Sequence, residues 1–532
     1  MVSMIKRFST PSVAIVLWCT AVFSLAAEAA QRGALPDASD PPSKLRLESP
    51  KLEQAKGMIT LDYQVIRVPS DTDIDLLGFH VFNKLNDWIY LGVGGFAPLF
   101  KGEYGGFMAF DVSAHVQRRI HGPFFADAGI ALGGGGGGKN VEQSRVLSGT
   151  GGFVRSYVGL GYEFKGFSVG AHLGRMKFKD SAINSSQLNL FVQVPFSYNI
   201  GDYASAGERF FATESPAVRG VDAGGSESIL TFGLDNMKQI RPGGLYKGAI
   251  NLVELQFSHF ITQDSYWYFN AGAGYHGRPL YNQAFGGLGY RFRVTPRASL
   301  YSQLGLGSGG YAPETIDTGP GLLVFPKMSA EYLINKSLGA TVSAGYLFAP
   351  RGSSKNYTFG ASLNYHIRAG QGGAGAVDSA AGELFSGYRL SLFQQTESAV
   401  KSRGANQPNI NLLTTQIDNI VNSRFYIPVQ VSVAYNAYLT YPGYGEILAG
   451  VGIQNRYERG DRFQFFGQLL AGANVHGAIF KTGIGMNYSL SDRWALYGVA
   501  GQTSAGLGSN KERFKADYIG AGLTYRFSVP SR

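Results

Sequence analysis

Residues 518–527, YIGAGLTYRF, decide the fold. Ile519, Ala521, Leu523, Tyr525 and Phe527 face one way, and Gly520, Gly522, Thr524 and Arg526 face the other, the period-two alternation of a β-strand. Two earlier segments close in the same manner. QLNLFVQVPFSYNI ends on Tyr198-Asn199-Ile200 and YTFGASLNYHI on Tyr365-His366-Ile367, matching Tyr525-Arg526-Phe527. Further landmarks recur in the same order. Phe125-Ala126-Asp127, Tyr301-Ser302-Gln303 and Phe466-Gly467-Gln468 form one series, and Tyr162-Glu163-Phe164, Ala330-Glu331-Tyr332 and Met486-Asn487-Tyr488 another. Three marks in fixed order predict a triplication, with copies over 57–200, 226–368 and 383–528.

Each copy divides into about eight candidate strands. In the first they lie near 58–68, 74–85, 87–97, 104–117, 123–134, 152–164, 166–178 and 186–200. Most are of a length that suits a tilted membrane-spanning strand. Short turns such as Asn86-Asp87 and Lys165-Gly166 alternate with longer polar or Gly-rich loops, such as Gly133 to Thr150. The third copy departs from this with a short link around His476. The strand QLNLFVQVPFSYNI puts Leu188, Leu190, Val192, Val194, Phe196 and Tyr198 on one apolar face.

Composition agrees with a β-rich chain and excludes other classes. Of 532 residues, 73 are Gly, 13% are aromatic, only 16% are charged, and there is one Cys. A disordered chain would carry more charge and fewer aromatics, and one Cys cannot build an internal disulfide framework. Beyond the N-terminus no apolar run is both long and free of Gly and charge, so no membrane-spanning helix is expected. The net charge of +10 favours anionic surface lipid or polysaccharide as a partner. Nucleic acid is not expected for an exported chain.

The N-terminus reads as an export signal. Lys6 and Arg7 precede an apolar stretch over 11–25, and Ala27-Glu28-Ala29 offers a small-residue cleavage site, so residues 1–29 are expected to be a signal peptide. Residues 30–56 read as a flexible lead-in, 201–225 as a linker, and 369–382, AGQGGAGAVDSAAG in its body, as a Gly/Ala linker.

Taken together, the signal, the alternating strands, the loop asymmetry and the near-terminal LTYRF resemble a Gram-negative outer-membrane β-barrel. The resemblance is at the level of the class and covers 57–528. It implies an all-β, antiparallel transmembrane barrel, export to the outer membrane, outer-membrane lipid and lipopolysaccharide as surroundings, and the barrel assembly machinery as a partner. It also implies a strand-end signature at Tyr198, Ile200, Tyr365, Ile367, Tyr525 and Phe527. Ser528 to Arg532 follow Phe527, a departure from the usual aromatic terminus. Twenty-four strands allow either three 8-strand barrels or one 24-strand barrel. The two linkers and the inward glycines, among them Gly161, Gly289 and Gly485, favour three narrow units.

Chemical motifs are few. Gly133 to Asn140, GGGGGGKN, approaches a phosphate-binding loop, but Asn140 stands where Ser or Thr is needed and no following helix is expected. Gly166-Phe167-Ser168-Val169-Gly170 matches a nucleophile-elbow string outside its strand–helix setting. Ser168, His172 and Glu163 are the one arrangement suggesting a lipid hydrolase, yet Ser168 and His172 are four strand residues apart, roughly 13 Å. Inward polar positions recur at Asp127, Gln303 and Gln468, and at Glu163, Glu331 and Asn487. They read first as a lumenal hydrogen-bond network, since acid and amide interchange between copies, and second as a permeation or ligand path. Arg67, His115, Arg155 and Arg175 are expected as partners for the acids of the first copy. The His residues show no metal spacing, and no cofactor is expected. The function expected is a non-enzymatic outer-membrane barrel serving passage of a solute or polymer, or binding a polysaccharide or protein through surface loops. The alternatives are a membrane-embedded lipid hydrolase and a soluble exported β-protein with a structural or adhesive role.

Overall fold

The computed structural model describes residues 52–207, 209–210, 227–335, 337–367, 383–402, 404–439, 441–506 and 513–531. The expected signal peptide and the Gly/Ala linker lie outside these residues. The strands form three closed antiparallel barrels of eight strands each. The first runs from Glu53–Ile66 to Asn184–Ile200, the second from Ser228–Gln239 to Lys355–His366, and the third from Glu383–Ser402 to Phe514–Ser531. Each closes by pairing its first strand with its last, as Ile59 with Val194, Leu234 with Ala361 and Leu390 with Tyr525. The single 24-strand closure is not adopted.

Several boundaries differ from the sequence reading. The first strand begins at Glu53, inside the expected lead-in. The last strand runs past Phe527 to Ser531 and pairs throughout with the strand that opens the third barrel. Residues 201–207 are not a free tether but fold onto the third barrel, where Gly201 and Ser528 exchange backbone hydrogen bonds of 2.8 and 3.2 Å. A short helix, Val141–Ser148, follows the glycine run. Asn140 caps it by accepting from the Gln143 backbone N–H at 2.6 Å. Eight residues flanked by glycine are too short a periodic signal to predict.

Why the chain is rich in both Gly and aromatics is visible in the lumens. An eight-strand barrel has room only for its own side chains, and a ring fits where the neighbouring strand carries no Cβ. Phe125 lies over Gly161, Tyr157 over Gly129, Tyr266 over Gly289, Tyr426 over Gly452 and Phe466 over Gly485. The rings then meet one another, as Phe466 and Tyr497 do at 5.4 Å and Phe393 and Tyr497 at 4.6 Å. Outward positions are apolar and open to the surroundings, with Leu173 at 68% and Ile484 at 74% exposed. So much exposed apolar surface on every barrel suits hydrocarbon, not water.

The three barrels pack on one another. Between the first and second, Ser308 Oγ donates to Pro98 O at 2.7 Å and Phe79 stacks on Phe269 at 5.8 Å. Between the second and third, Val253, Leu255 and Tyr275 bury against Ala449 and Ala473. Between the third and first, Tyr198 meets Phe527 at 5.9 Å and Arg493 donates to Glu53 at 2.8 Å.

Replacing Gly485 with Val drives a Cβ into the ring of Phe466, whereas Gly498 on the next strand faces open space. Gly485→Val is expected to destabilise the third barrel by about 1–3 kcal/mol, and Gly498→Val to leave it unchanged. Urea titration of the detergent-solubilised protein, followed by Trp fluorescence, checks the pair.

Candidate functional site

The interior of each barrel holds buried ions arranged to one plan. An acid on the first strand meets a base on the sixth. In the first barrel Arg155 donates to Asp62. In the second Lys327 Nζ lies 3.3 Å from Asp235 and 2.8 Å from Glu254. In the third Lys481 Nζ lies 2.8 Å from Glu397 and 2.5 Å from Glu446. These groups are almost wholly screened from solvent, and an unpaired charge there would cost several kcal/mol. Aromatic faces cover what carboxylates leave open: Arg155 sits 4.8 Å from the Tyr157 ring, Arg389 4.4 Å from Tyr426 and Arg526 4.3 Å from Tyr457.

The recurring polar positions occupy these networks unevenly. Asp127 Oδ2 is 3.0 Å from His172 Nε2. Gln303 donates to Gln256 at 3.2 Å, and Gln468 accepts from Gln416 at 3.0 Å and from Tyr426 at 3.2 Å. Glu331 accepts from Tyr301 at 2.5 Å and from Asn364 at 2.7 Å, with His366 Nε2 at 2.9 Å. Asn487 is buried with neither side-chain atom hydrogen-bonded. Glu163 sits exposed at the rim, paired with Arg119. Of the strand-end residues, Tyr198 donates to Asn83 at 2.9 Å, Ile200 is buried, and Tyr525 and Phe527 pack together at 5.6 Å. Tyr365 lies in the wall of the second barrel opposite Leu338, with Ile367 just beyond the strand.

The Ser168, His172 and Glu163 arrangement is not assembled. Ser168 stands in register with Glu163 across the hairpin. But Glu163 turns to Arg119 and His172 to Asp127, so no base–acid relay reaches the hydroxyl. The partners expected for the first-copy acids also differ: Arg155 takes Asp62, His115 Nδ1 meets Tyr157 Oη at 2.7 Å, and Arg175 points outward to Asn184. The phosphate-loop resemblance dissolves as well, since Lys139 donates to Asp71 at 2.8 Å and Asn140 serves as the helix cap. That Lys139 hydrogen bond holds the Asp71 carboxyl below its usual range. Among the described residues no group of three or more His, Cys, Asp or Glu side chains is placed to hold a metal.

Sequence reading missed Asp62, Asp235, Glu397, Lys327 and Lys481. The signal was present: Lys327 shares its strand face with Glu331, and Lys481 with Asn487. A cation on a lumenal face of an otherwise apolar strand obliges an anion across the barrel.

All three lumens are stopped at the loop end, and the third is capped at its turn end as well. At the loop end apolar clusters fill the mouths: Tyr104, Phe107, Leu147 and Phe178 in the first barrel, Tyr281, Ile316 and Leu347 in the second, and Tyr438, Tyr444 and Phe514 in the third. At the turn end of the third barrel Tyr203, from the segment after the first barrel, donates to Gln464 at 3.2 Å and packs with Tyr457 at 5.4 Å. The second barrel keeps a cavity of about 40 Å³ lined by Glu254, Gln256, Gln303 and Lys327, room for water molecules and little else.

Above the mouths the long loops interlock. Gly105 N donates to Gly319 O at 2.9 Å, Arg351 Nη1 to Phe100 O at 2.6 Å, and Val141 N to Glu314 Oε1 at 3.0 Å. The first and second barrels thus share one outer surface.

Lys481→Met leaves Glu397 and Glu446 buried together without a cation. A loss of about 3–5 kcal/mol is expected, with most of it restored when Glu397→Gln and Glu446→Gln are added. Equilibrium unfolding in detergent measures both.

No protein-family model and no curated protein sequence matches the chain. Solved structures offer distant likeness. A de novo designed transmembrane β-barrel aligns at 12% identity over 26% of this chain and 95% of its own, with a TM-score of 0.19. The ferric enterobactin receptor of Pseudomonas aeruginosa, a point mutant in complex with enterobactin, aligns at 8% identity over 90% of this chain and 82% of its own, with a TM-score of 0.27. The siderophore receptor of Acinetobacter baumannii aligns at 10% identity over 90% and 81%, with a TM-score of 0.25. At these values the likeness carries no inference about this chain.

Proposed function

We propose that the chain is a bacterial outer-membrane protein whose three sealed barrels form one embedded platform, and that it works by binding a surface ligand on its interlocked long loops. The observation that carries this reading is the contrast between the lumens and the loops. The lumens are filled by rings and paired ions and stopped at their mouths, while the loops of separate barrels are hydrogen-bonded into one face. A preorganised surface of this kind loses less entropy on binding than free loops do. The exposed apolar belts support membrane residence, and so does the closure of each barrel, because hydrocarbon tolerates no open strand edge. A surface polysaccharide or protein suits the loop face. The expected export signal supports delivery to the outer membrane.

Passage of a solute is the second reading. It is favoured by the polar lining around Lys327 and the small cavity beside it in the second barrel. Passage there requires Lys327 to leave Asp235 and Glu254.

The purified chain in a planar bilayer is expected to show no steady conductance, and Lys327→Ala none either. Stable conductance steps in the native chain would overturn the sealed-platform reading. Steps that appear only in Lys327→Ala would identify the second lumen as a path closed by that lysine.

A further inference from the structure

The outward face of each barrel changes character at its loop end. On the first barrel Arg175, Lys177 and Lys179 follow Leu173 at every second residue, all exposed. Same-face neighbours on a strand are roughly 7 Å apart, so the three charges form a ladder. The residues in register beside Arg175 and Lys177 are Ser156, Val154, Ser186 and Asn184, with no carboxylate among them. Asn184 Oδ1 accepts from Arg175 Nε at 3.2 Å and Nη2 at 3.1 Å, which holds the guanidinium against the wall.

The other barrels repeat the feature with different residues. On the second, exposed Lys238 stands opposite Tyr357, and exposed Lys355 lies two residues from that tyrosine on the same face. On the third, exposed Lys401 stands directly opposite exposed Lys515. Like charges facing across a strand pair are destabilising by themselves, and an anion between them reverses the sign. Asp517, two residues from Lys515, is hydrogen-bonded by Gln502 at 3.1 Å. Among the described residues none of these seven cations forms an ion pair. At the opposite, short-turn end the outward positions carry exposed Phe124, Phe164, Phe292, Tyr332, Phe463 and Phe465, with Arg118 and Lys165 beside them. Rings thus stand at both borders of the belt, Tyr357 among them at the loop end, and the Arg175, Lys177 and Lys179 ladder is at the loop border.

We propose that this cationic collar binds the phosphate groups of a phosphorylated glycolipid in the outer leaflet, with Arg175, Lys177 and Lys179 as its principal site and the Lys401–Lys515 pair as a second. The height of the residues selects a lipid headgroup. They point sideways from the barrel wall, immediately above Leu173 and Val158 on the apolar belt, where a packed lipid presents its phosphates. A soluble anion would meet them without the acyl contacts below. The inference rests on the outer-membrane reading above.

The test uses the full chain in detergent with bis-phosphorylated lipid A, or with the same lipid stripped of phosphate, and bound lipid is counted by native mass spectrometry. The native chain is expected to retain the phosphorylated lipid and not the stripped one, and excess inorganic phosphate is expected to leave the complex intact. R175Q/K177Q/K179Q/K401Q/K515Q is expected to retain at least about tenfold less, while the charge-conserving R175K/K177R/K179R retains the native amount. Equal retention of the stripped lipid, displacement by inorganic phosphate, or undiminished binding by the neutralised variant would each overturn the proposal. Because the first comparison uses only native protein, it stands even if the neutralised variant fails to fold. Failure of the outer-membrane reading shows separately, as release of the chain from cell membranes by a high-salt alkaline wash.

Discussion

The contact between an aromatic ring and a bare stretch of backbone sets the terms for everything else in this structure. Eight strands enclose too little space for a large side chain at every inward position. Where Phe466 lies on Gly485, or Tyr266 on Gly289, the ring takes the volume the glycine vacates. Each such pair joins two strands and fixes their register, since a slip of one residue would turn the ring outward. The glycines would weaken an isolated strand. Here they are the condition for a narrow lumen to be filled.

Filling the lumen with rings in turn dictates how its charges must be held. A cation among Tyr and Phe cannot shed its charge into water, so it is met by carboxylates and ring faces. Arg155, Lys327 and Lys481 all lie on the sixth strand of their barrels, and each answers an acid on the first. The partner set nevertheless differs: one guanidinium with Asp62, one ammonium between Asp235 and Glu254, another between Glu397 and Glu446. What is common to the three barrels is charge balance at a strand address, not a constellation of identical residues.

Most of the wall was legible in the chain because a strand writes its two faces into adjacent residues. The alternation at 518–527 and the recurring Tyr-x-Ile or Tyr-x-Phe endings place the strands to within a few residues. What crosses the lumen was not legible. Lys481 meets Glu397 through space, from strands far apart in the sequence, and the alternation gives parity but not height. The interfaces between barrels were hidden for a different reason. Val253, Ala449 and Ala473 are apolar and outward, which is equally right for lipid and for a neighbouring barrel. Tyr203 reads as part of a linker because its partners, Gln464 and Tyr457, belong to a barrel that begins long after it.

Packing three closed barrels side by side has a consequence for where recognition can occur. A single wide barrel would offer its lumen to a ligand, whereas three narrow ones consume theirs in holding themselves together. The surfaces left free are the two ends and the perimeter. At the loop end, segments of the first and second barrels are joined through Gly105, Gly319, Phe100 and Arg351, so neither barrel presents its loops independently. On the perimeter exposed rings border the apolar belt toward the turns and, with Tyr357, toward the loops as well, as amphipathic rings do at either interface of a bilayer. The three cations at every second residue, Arg175, Lys177 and Lys179, stand at the loop border, and cations at that height lie where anionic headgroups would crowd.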